Sequence, residues 1–210
     1  MRTPSGRAPS PVSGGDEATD RPRTVVAVGA SLGGIRALKR VLGALPADFP
    51  AAVLVVQHLS PRSRSVLDQV LSPETRLPVG AARDGERMVE GRVYLAPPGR
   101  HLRVERDGTL SLSDDPAVQF VRPSADVLFA SVADAFDGEA VAVVLTGRER
   151  DGAGGVVRVH DRGGTVIAQD PAGAVARGMP ESSIRTGAVD HVLPLDEIAP
   201  ALVRLARRNV

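Results

Sequence analysis

The sequence predicts an α/β fold in which a mostly parallel sheet is covered by helices on both faces and carries an accessory β-hairpin. Short, nearly uninterrupted apolar runs alternate with segments of helical periodicity along the chain. Such runs are typical of strands that are buried on both faces, as in parallel sheets. One stretch, residues 101–113, instead alternates apolar and polar side chains around an Asp-Gly pair, which indicates the hairpin.

The first part of the domain is predicted to contain three buried strands and two helices. The strands cover residues 24–30, 51–58 and 92–99. The first helix places one apolar stripe inward and ends at Pro46; the stripe consists of Ile35, Leu38, Leu42 and Leu45. The second helix stops before Pro73, and its apolar residues are Val66, Leu67, Val70 and Leu71.

The second part begins with a helix that starts at Pro123-Ser124, where Ser124 is expected to be the N-cap. The inward residues of this helix are Val127, Leu128, Ala135 and Phe136. Buried strands follow over residues 139–147 and 164–170, separated by a glycine-rich segment that we expect to be helical. A strand over residues 189–194 and a helix from about Leu195 to Arg208 close the chain.

Composition excludes several classes of function. The 26 basic and 25 acidic residues give a net charge of +1, so nothing calls for a nucleic-acid partner. Arginine supplies every basic residue except Lys39, a bias that a GC-rich genome explains. The absence of cysteine excludes thiol catalysis, disulfides and cysteine-based metal sites.

The chain is expected to be a soluble, cytoplasmic protein with one domain over residues 24–210. No apolar run approaches the roughly 18 residues that span a bilayer. Residues 1–23 lack the apolar stretch of a signal peptide. Their Pro, Ser, Gly and charged residues predict a disordered tail.

A glycine-rich turn after the first strand, VGASLGG, allows two interpretations. A dinucleotide site requires G-x-G-x-x-G and an acidic residue about 20 positions further on, but the second strand ends in Gln57-His58. A P-loop requires Lys after its last glycine, where this chain has Ile35. Both phosphate-binding patterns therefore fail at their specific positions.

The alternative is a nucleophile turn centred on Ser31. Residues 29–33 satisfy G-x-S-x-G, in which small neighbours let a sharp strand-to-helix turn expose the serine hydroxyl. The helix N-terminus behind the serine contributes positive potential and free backbone N–H groups, which suit an oxyanion. The pattern alone is weak, because a serine in a glycine turn is often only an N-cap.

A general base and an orienting acid follow two other strands. His58 ends the second strand, and Asp151 lies in the polar loop after the strand over residues 139–147. Because sites in parallel sheets collect at the carboxyl ends of the strands, we expect these side chains to converge on Ser31. The competing order Ser31, Asp151, His191 matches α/β-hydrolases, and we prefer His58. The remaining, weaker candidates are His101, His160, Asp126 and Asp170.

With these segments in view, the chain resembles the catalytic domain of the chemotaxis receptor protein-glutamate methylesterases, the CheB type. The resemblance runs from about Val25 to Leu202 and rests on motifs in family order. The motifs are VGASLGG, VVQHLSP, DGERMVEGRVYLAPPGRHL, RPSADVLFASVA, VVLTGRERDGAGG, TVIAQDPAGAVARGMPESSI and GAVDHVLPLDEI. It implies a doubly wound α/β fold and a Ser–His–Asp triad that falls on Ser31, His58 and Asp151.

The implied reaction removes methyl groups from glutamate esters on the cytoplasmic helices of chemoreceptors and releases methanol, and related enzymes deamidate certain glutamines. No metal or organic cofactor is implied, nor nucleic acid or membrane insertion. The backbone N–H groups of Leu32 and Arg148 are assigned as oxyanion donors.

Two departures from the family qualify this expectation. Typical members carry an N-terminal receiver domain, for which residues 1–23 are too short, so phosphorylation control within the chain is expected to be absent. The family's Leu-Thr-Gly-Met-Gly is Leu-Thr-Gly-Arg-Glu in this chain, with Arg148 in place of the methionine and Glu149 in place of the second glycine. The replacement by Glu149 matters if that position needs positive φ. A catalytically impaired binding or regulatory module and an unrelated nucleotide-binding domain are the alternatives.

Overall fold

The structure, a computed structural model, describes residues 21–59 and 66–208. Its strands are β1 Val25–Ala30, β2 Ala52–Gln57, β3 Val79–Ala81, β4 Val93–Leu95, β5 His101–Val104, β6 Leu110–Ser113, β7 Ala140–Val144, β8 Thr165–Gln169 and β9 His191–Leu193. Its helices are α1 Gly34–Gly43, α2 Leu67–Leu71, α3 Ala125–Phe136, α4 Ala153–Asp161, α5 Gly178–Ile184 and α6 Leu195–Arg208. Short 3-10 turns cover Ser72–Glu74, Asp137–Glu139 and Pro171–Gly173.

Seven strands form one parallel sheet in the order β3-β4-β2-β1-β7-β8-β9, and β5 and β6 form a separate antiparallel hairpin. The predicted fold class is therefore confirmed. From β1 the chain builds outward through β2 and then returns to place β7 on the other side of β1. This reversal leaves a crevice at the carboxyl ends of the central strands, where ligands bind in such sheets.

The sheet separates two apolar cores. One packs α3, α4 and the hairpin against one face and includes Phe129 and Tyr94. The other packs α1, α2 and α6 against the opposite face and includes Leu38 and Leu202. All six residues of β1 are buried, because helices cover both faces.

Most of the predicted helices and strands are present in the structure, and a few local details differ. Strand β3 and helix α5 were not predicted. Ile35 was expected to point inward but is 37% exposed, since the first turn of α1 faces the crevice rather than the core. Helix α2 ends at Leu71, before Pro73 as predicted, and the 3-10 turn Ser72–Glu74 follows it, with the proline at a position that needs no backbone N–H.

The predicted tail over residues 1–23 lies largely outside the described residues. The described part begins at Arg21, whose guanidinium donates to the Ala135 carbonyl and stacks 4.7 Å from the centre of the Phe136 ring. Within the described ranges, no helix is both long and apolar enough to cross a membrane.

Candidate active site

The ends of β1, β2 and β7 bring the predicted residues to one crevice. Ser31 follows β1, His58 follows β2, and the loop that leads to Asp151 follows β7. Because β2 and β7 are the two hydrogen-bonded neighbours of β1, these strand ends lie side by side.

Backbone and side-chain hydrogen bonds fix the Ser31 turn. The Ser31 N–H donates to the Thr146 carbonyl at 3.0 Å, which ties the turn to the end of β7. The Ser31 carbonyl accepts from Gln57 Nε2 and from the Gly34 N–H, both at 2.9 Å. Gly33 has a φ of 82°, and a Cβ there would lie 2.7 Å from Val175 Cβ, so this position requires glycine.

The two backbone N–H groups predicted for an oxyanion are held in fixed directions. In a trans peptide the carbonyl and the following N–H point in opposite directions. Since the Ser31 carbonyl is bonded to Gln57, the Leu32 N–H points away from Gln57. The Gly147 carbonyl likewise accepts from the Met179 N–H at 2.9 Å, which fixes the Arg148 N–H.

Both N–H groups belong to residues that line the cleft containing Ser31. Within the described ranges, neither the Leu32 N–H nor the Arg148 N–H has a hydrogen-bond partner. Both residues line the same cleft of about 500 Å³ as Ser31 and His58. Donors fixed in this way can stabilise developing negative charge without reorganising during a reaction.

His58 and Asp151 form a close pair. His58 Nε2 lies 2.7 Å from Asp151 Oδ2, and the Asp151 side chain is completely buried. The same carboxylate accepts hydrogen bonds from Ser124 Oγ at 2.6 Å, the Ala125 N–H at 2.5 Å and the Asp126 N–H at 3.1 Å. Asp151 therefore caps the N-terminus of α3, where the helix dipole favours a negative charge.

These contacts keep the Asp151 carboxylate ionised. Burial raises its pKa, but the hydrogen bonds from His58, Ser124 and the backbone outweigh burial, and the pKa lies below its usual value. An ionised carboxylate only accepts, so the proton of a neutral His58 ring is on Nε2. The other ring nitrogen, Nδ1, is then an acceptor that is able to take a proton.

Two further residues support this pair, and the sequence did not identify their role. Ser124 was predicted only as an N-cap, which it is, since its hydroxyl accepts from the Val127 N–H at 3.4 Å. His101 is 1% exposed, and its Nδ1 accepts from the Ser124 N–H at 3.2 Å. Its Nε2 lies 3.2 Å from the Pro116 carbonyl, and since a carbonyl only accepts, the ring proton is on Nε2. His101 therefore positions Ser124, which in turn positions Asp151.

Ser31 and His58 line the same cleft, but they are not hydrogen-bonded to each other. Within the described part of the chain, the Ser31 hydroxyl makes no hydrogen bond, so the predicted Ser31–His58 contact stays a prediction. Hydrogen bonds of catalytic groups are often long in the absence of substrate. Ser31 is half-buried, and the His58 side chain is 11% exposed.

The other histidines lie elsewhere. His191 is exposed on β9, which β7 and β8 separate from β1. His160 is exposed on α4 and lies 3.6 Å from Asp190.

Two remaining acidic candidates have structural contacts. Asp170 caps the turn Pro171–Gly173. Asp126 accepts from the Gly155 N–H at 2.7 Å, and burial raises its pKa, with the charge of Asp151 adding to that effect. Glu149 is absent from the described non-glycine residues with positive φ, so it fits without backbone strain. No described group of three or more His, Asp or Glu side chains is arranged to hold a metal ion.

The fold and site together define a parallel α/β domain with a serine turn, a histidine and a buried carboxylate at the crevice beside its central strand. Its family follows from comparison with known proteins. The family model described as CheB methylesterase matches residues 26–202, and the chain belongs to this family.

Its relatives agree with this assignment. A Cupriavidus metallidurans protein named protein-glutamate methylesterase/protein-glutamine glutaminase 2 is 44% identical over 94% of this chain and 58% of its own length. An Anaeromyxobacter dehalogenans protein of the same name is 48% identical over 87% of this chain and 53% of its own length. The crystal structure of the Thermotoga maritima CheB methylesterase catalytic domain matches with a TM-score of 0.83 at 37% identity, covering 87% of this chain and 98% of that one. This chain thus spans little more than half the length of those two relatives.

Proposed function

We propose that this chain is a serine esterase that hydrolyses γ-methyl esters of glutamate residues in chemoreceptor-like signalling proteins. The observation that carries the proposal is the His58–Asp151 pair beside a cleft that also contains Ser31. The names of the relatives support the substrate class, since both relatives are named protein-glutamate methylesterase. The catalytic domain comprises residues 24–210 and acts in the cytoplasm, on the methylated cytoplasmic helices of the receptor.

In the acylation step, Ser31 Oγ attacks the γ-carbonyl carbon of the esterified glutamate. His58 accepts the hydroxyl proton on Nδ1, while Asp151 stabilises the resulting imidazolium through Nε2. The N–H groups of Leu32 and Arg148 donate to the oxyanion of the tetrahedral intermediate. Collapse of the intermediate breaks the carbon–methoxy bond, and His58 returns the proton to the departing oxygen, which leaves as methanol.

In the deacylation step, water attacks the glutamyl-serine ester and His58 accepts one of its protons. Collapse of the second intermediate breaks the bond to Ser31 Oγ, which regains its proton from His58. The products are a free glutamate side chain and the original enzyme. The chain's own residues supply every proton transfer.

Glutamine deamidation is a second candidate activity, since both relatives also carry the name protein-glutamine glutaminase. The same acyl-enzyme forms when the leaving group is ammonia instead of methanol. His58 then protonates the departing nitrogen.

The proposal is tested by methanol release from a methylated chemoreceptor fragment. We expect Ser31→Ala to lower kcat by on the order of 10⁴–10⁶, His58→Ala to cost a similar amount, and the double variant little more. His160→Ala is the control, because His160 is exposed on α4 away from the cleft. Wild-type turnover by Ser31→Ala would refute the mechanism. A wild type that hydrolyses no methyl ester would instead favour the binding-module alternative.

A further inference from the structure

A tight turn with an unusual sequence lies beside the proposed active site. Val118 and Val121 exchange two backbone hydrogen bonds, of 3.1 and 3.0 Å, so Gln119 and Phe120 are the two central residues of the turn. Their φ angles are 47° and 66°. Turns with positive φ at both central positions strongly favour Asn-Gly, and a bulky residue in this conformation is an outlier.

A side-chain contact holds the turn in place. Gln119 Nε2 donates to Asp126 Oδ2 at 2.5 Å, which attaches the turn to the first turn of α3. Phe120 has no comparable attachment, since the residue is fully exposed. An exposed ring adds nothing to the apolar core, and its backbone conformation is unfavourable. Neither the local conformation nor packing within the chain therefore explains a phenylalanine here.

The position of Phe120 relates it to catalysis. Phe120 lines a cavity of about 300 Å³ together with His58, Leu59 and Pro123. His58 and Leu59 also line the larger cleft that contains Ser31. One continuous surface therefore runs from Phe120 past the His58 ring to the proposed nucleophile.

Apolar side chains flank this surface on both sides. Leu32 is 43% exposed and Ile35 is 37% exposed, and both line the cleft on the Ser31 side. Phe120 stands on the His58 side. Clustered apolar groups around a polar site mark surfaces that bind another molecule.

We propose that Phe120 is a docking anchor for the polypeptide that carries the esterified glutamate. This inference rests on the proposed function. The cavity at Phe120 shares His58 and Leu59 with the cleft that contains Ser31, so the polypeptide that flanks the ester lies against Phe120 when the ester reaches Ser31. The segment is amphipathic and places an apolar side chain against the Phe120 ring. Aromatic anchors of this kind dominate binding energy at protein interfaces.

The test compares two substrates: a methylated chemoreceptor cytoplasmic fragment and N-acetylglutamate γ-methyl ester amide. Phe120→Ala should lower kcat/KM for the receptor fragment roughly tenfold relative to kcat/KM for the small ester. The change should come mainly from a higher KM for the receptor fragment. Phe120→Gly should lower the ratio of the two kcat/KM values equally while keeping or raising Tm, because glycine accepts positive φ. Val89→Ala is the control, since Val89 is 49% exposed and lines neither cavity.

Binding is measured separately from catalysis. In a Ser31→Ala background, we expect Phe120→Ala to raise the Kd for the same receptor fragment about tenfold. An unchanged Kd, or no binding in the Ser31→Ala background, overturns the inference whether or not the esterase proposal holds. An unchanged ratio of kcat/KM values, with or without an equal loss on both substrates, overturns the inference while the esterase proposal stands.

Discussion

Replacing Asp151 with asparagine removes a charge and changes the hydrogen-bond pattern around His58. The carboxylate accepts from His58 Nε2 and the Ala125 N–H on Oδ2, and from Ser124 Oγ and the Asp126 N–H on Oδ1. An amide nitrogen cannot accept any of these bonds. The amide nitrogen should occupy the Oδ1 position, because the Ser124 hydroxyl can turn to accept a hydrogen bond from it. Only the long 3.1 Å contact with the Asp126 N–H is then lost.

This orientation keeps Nε2–H of His58 directed at an oxygen, so the tautomer is preserved. What is lost is the negative charge beside the imidazolium, and hydrogen bonds to charged groups contribute about 1.5–3 kcal/mol. With the half-buried Asp126 N–H left unpaired, we expect the free energy of unfolding to fall by about 2–4 kcal/mol. A loss of about 1.5–3 kcal/mol in the transition state corresponds to a kcat lowered about 10- to 150-fold.

The assay is methanol release under saturating ester, with Asp134→Asn on the same helix as the control. Adding Ser124→Ala removes the hydroxyl that accepts from the amide, but the Ala125 N–H still requires an oxygen at the Oδ2 position. The double variant should therefore keep the His58 tautomer and lose little more kcat than Asp151→Asn alone. A kcat within tenfold of wild type for Asp151→Asn would refute this reasoning.

Three other predictions follow from the same region. Gly33→Ala should lower the free energy of unfolding, measured by urea denaturation, by about 2–3 kcal/mol, because alanine disfavours positive φ and its Cβ would contact Val175. Gly173→Ala is the control and should not lower it, since a Cβ at Gly173 meets nothing within 4 Å. Arg148→Ala should lower kcat/KM several-fold at low salt, leave kcat nearly unchanged and show a smaller loss at high salt, since an exposed cation at the cleft steers acidic substrate. A large, salt-independent fall in kcat would contradict this steering role. Burial raises the pKa of Asp151, but hydrogen bonds hold it below its ordinary value. The ionised carboxylate therefore stabilises the fold fully above the unfolded-state pKa of about 3.9, and this stabilisation is lost as pH falls through the lower folded-state pKa. The difference in unfolding free energy between wild type and Asp151→Asn should therefore narrow below about pH 4 in denaturation series, and a constant difference would contradict the shift.

The order of strands and helices could be predicted because buried strands and amphipathic helices leave different periodicities. The convergence of Ser31, His58 and Asp151 at one edge was predictable for the same reason, since parallel strands end together. Strand β3 was missed because it has only three residues, one of them Gly80. Helix α5 was missed because it is short and contains Pro180.

The supporting contacts could not be predicted, because they join positions far apart in the chain. Ser124 and Asp151 are 27 residues apart, and nothing in the local pattern distinguishes this serine from an ordinary N-cap. His101 was one histidine among four until its burial and its contact with the Ser124 N–H were visible. The turn at Phe120 lacks the glycine or asparagine by which such turns are recognised.

Detection of the acyl-enzyme tests the central claim most directly. Wild-type protein is mixed with a glutamate γ-methyl ester peptide, quenched in acid within one turnover, and analysed by intact mass and by peptide mapping. The account predicts an adduct equal in mass to the peptide ester minus methanol, located on Ser31 and absent from Ser31→Ala. Turnover by Ser31→Ala at the wild-type rate, with no adduct on Ser31 in the wild type, would contradict it.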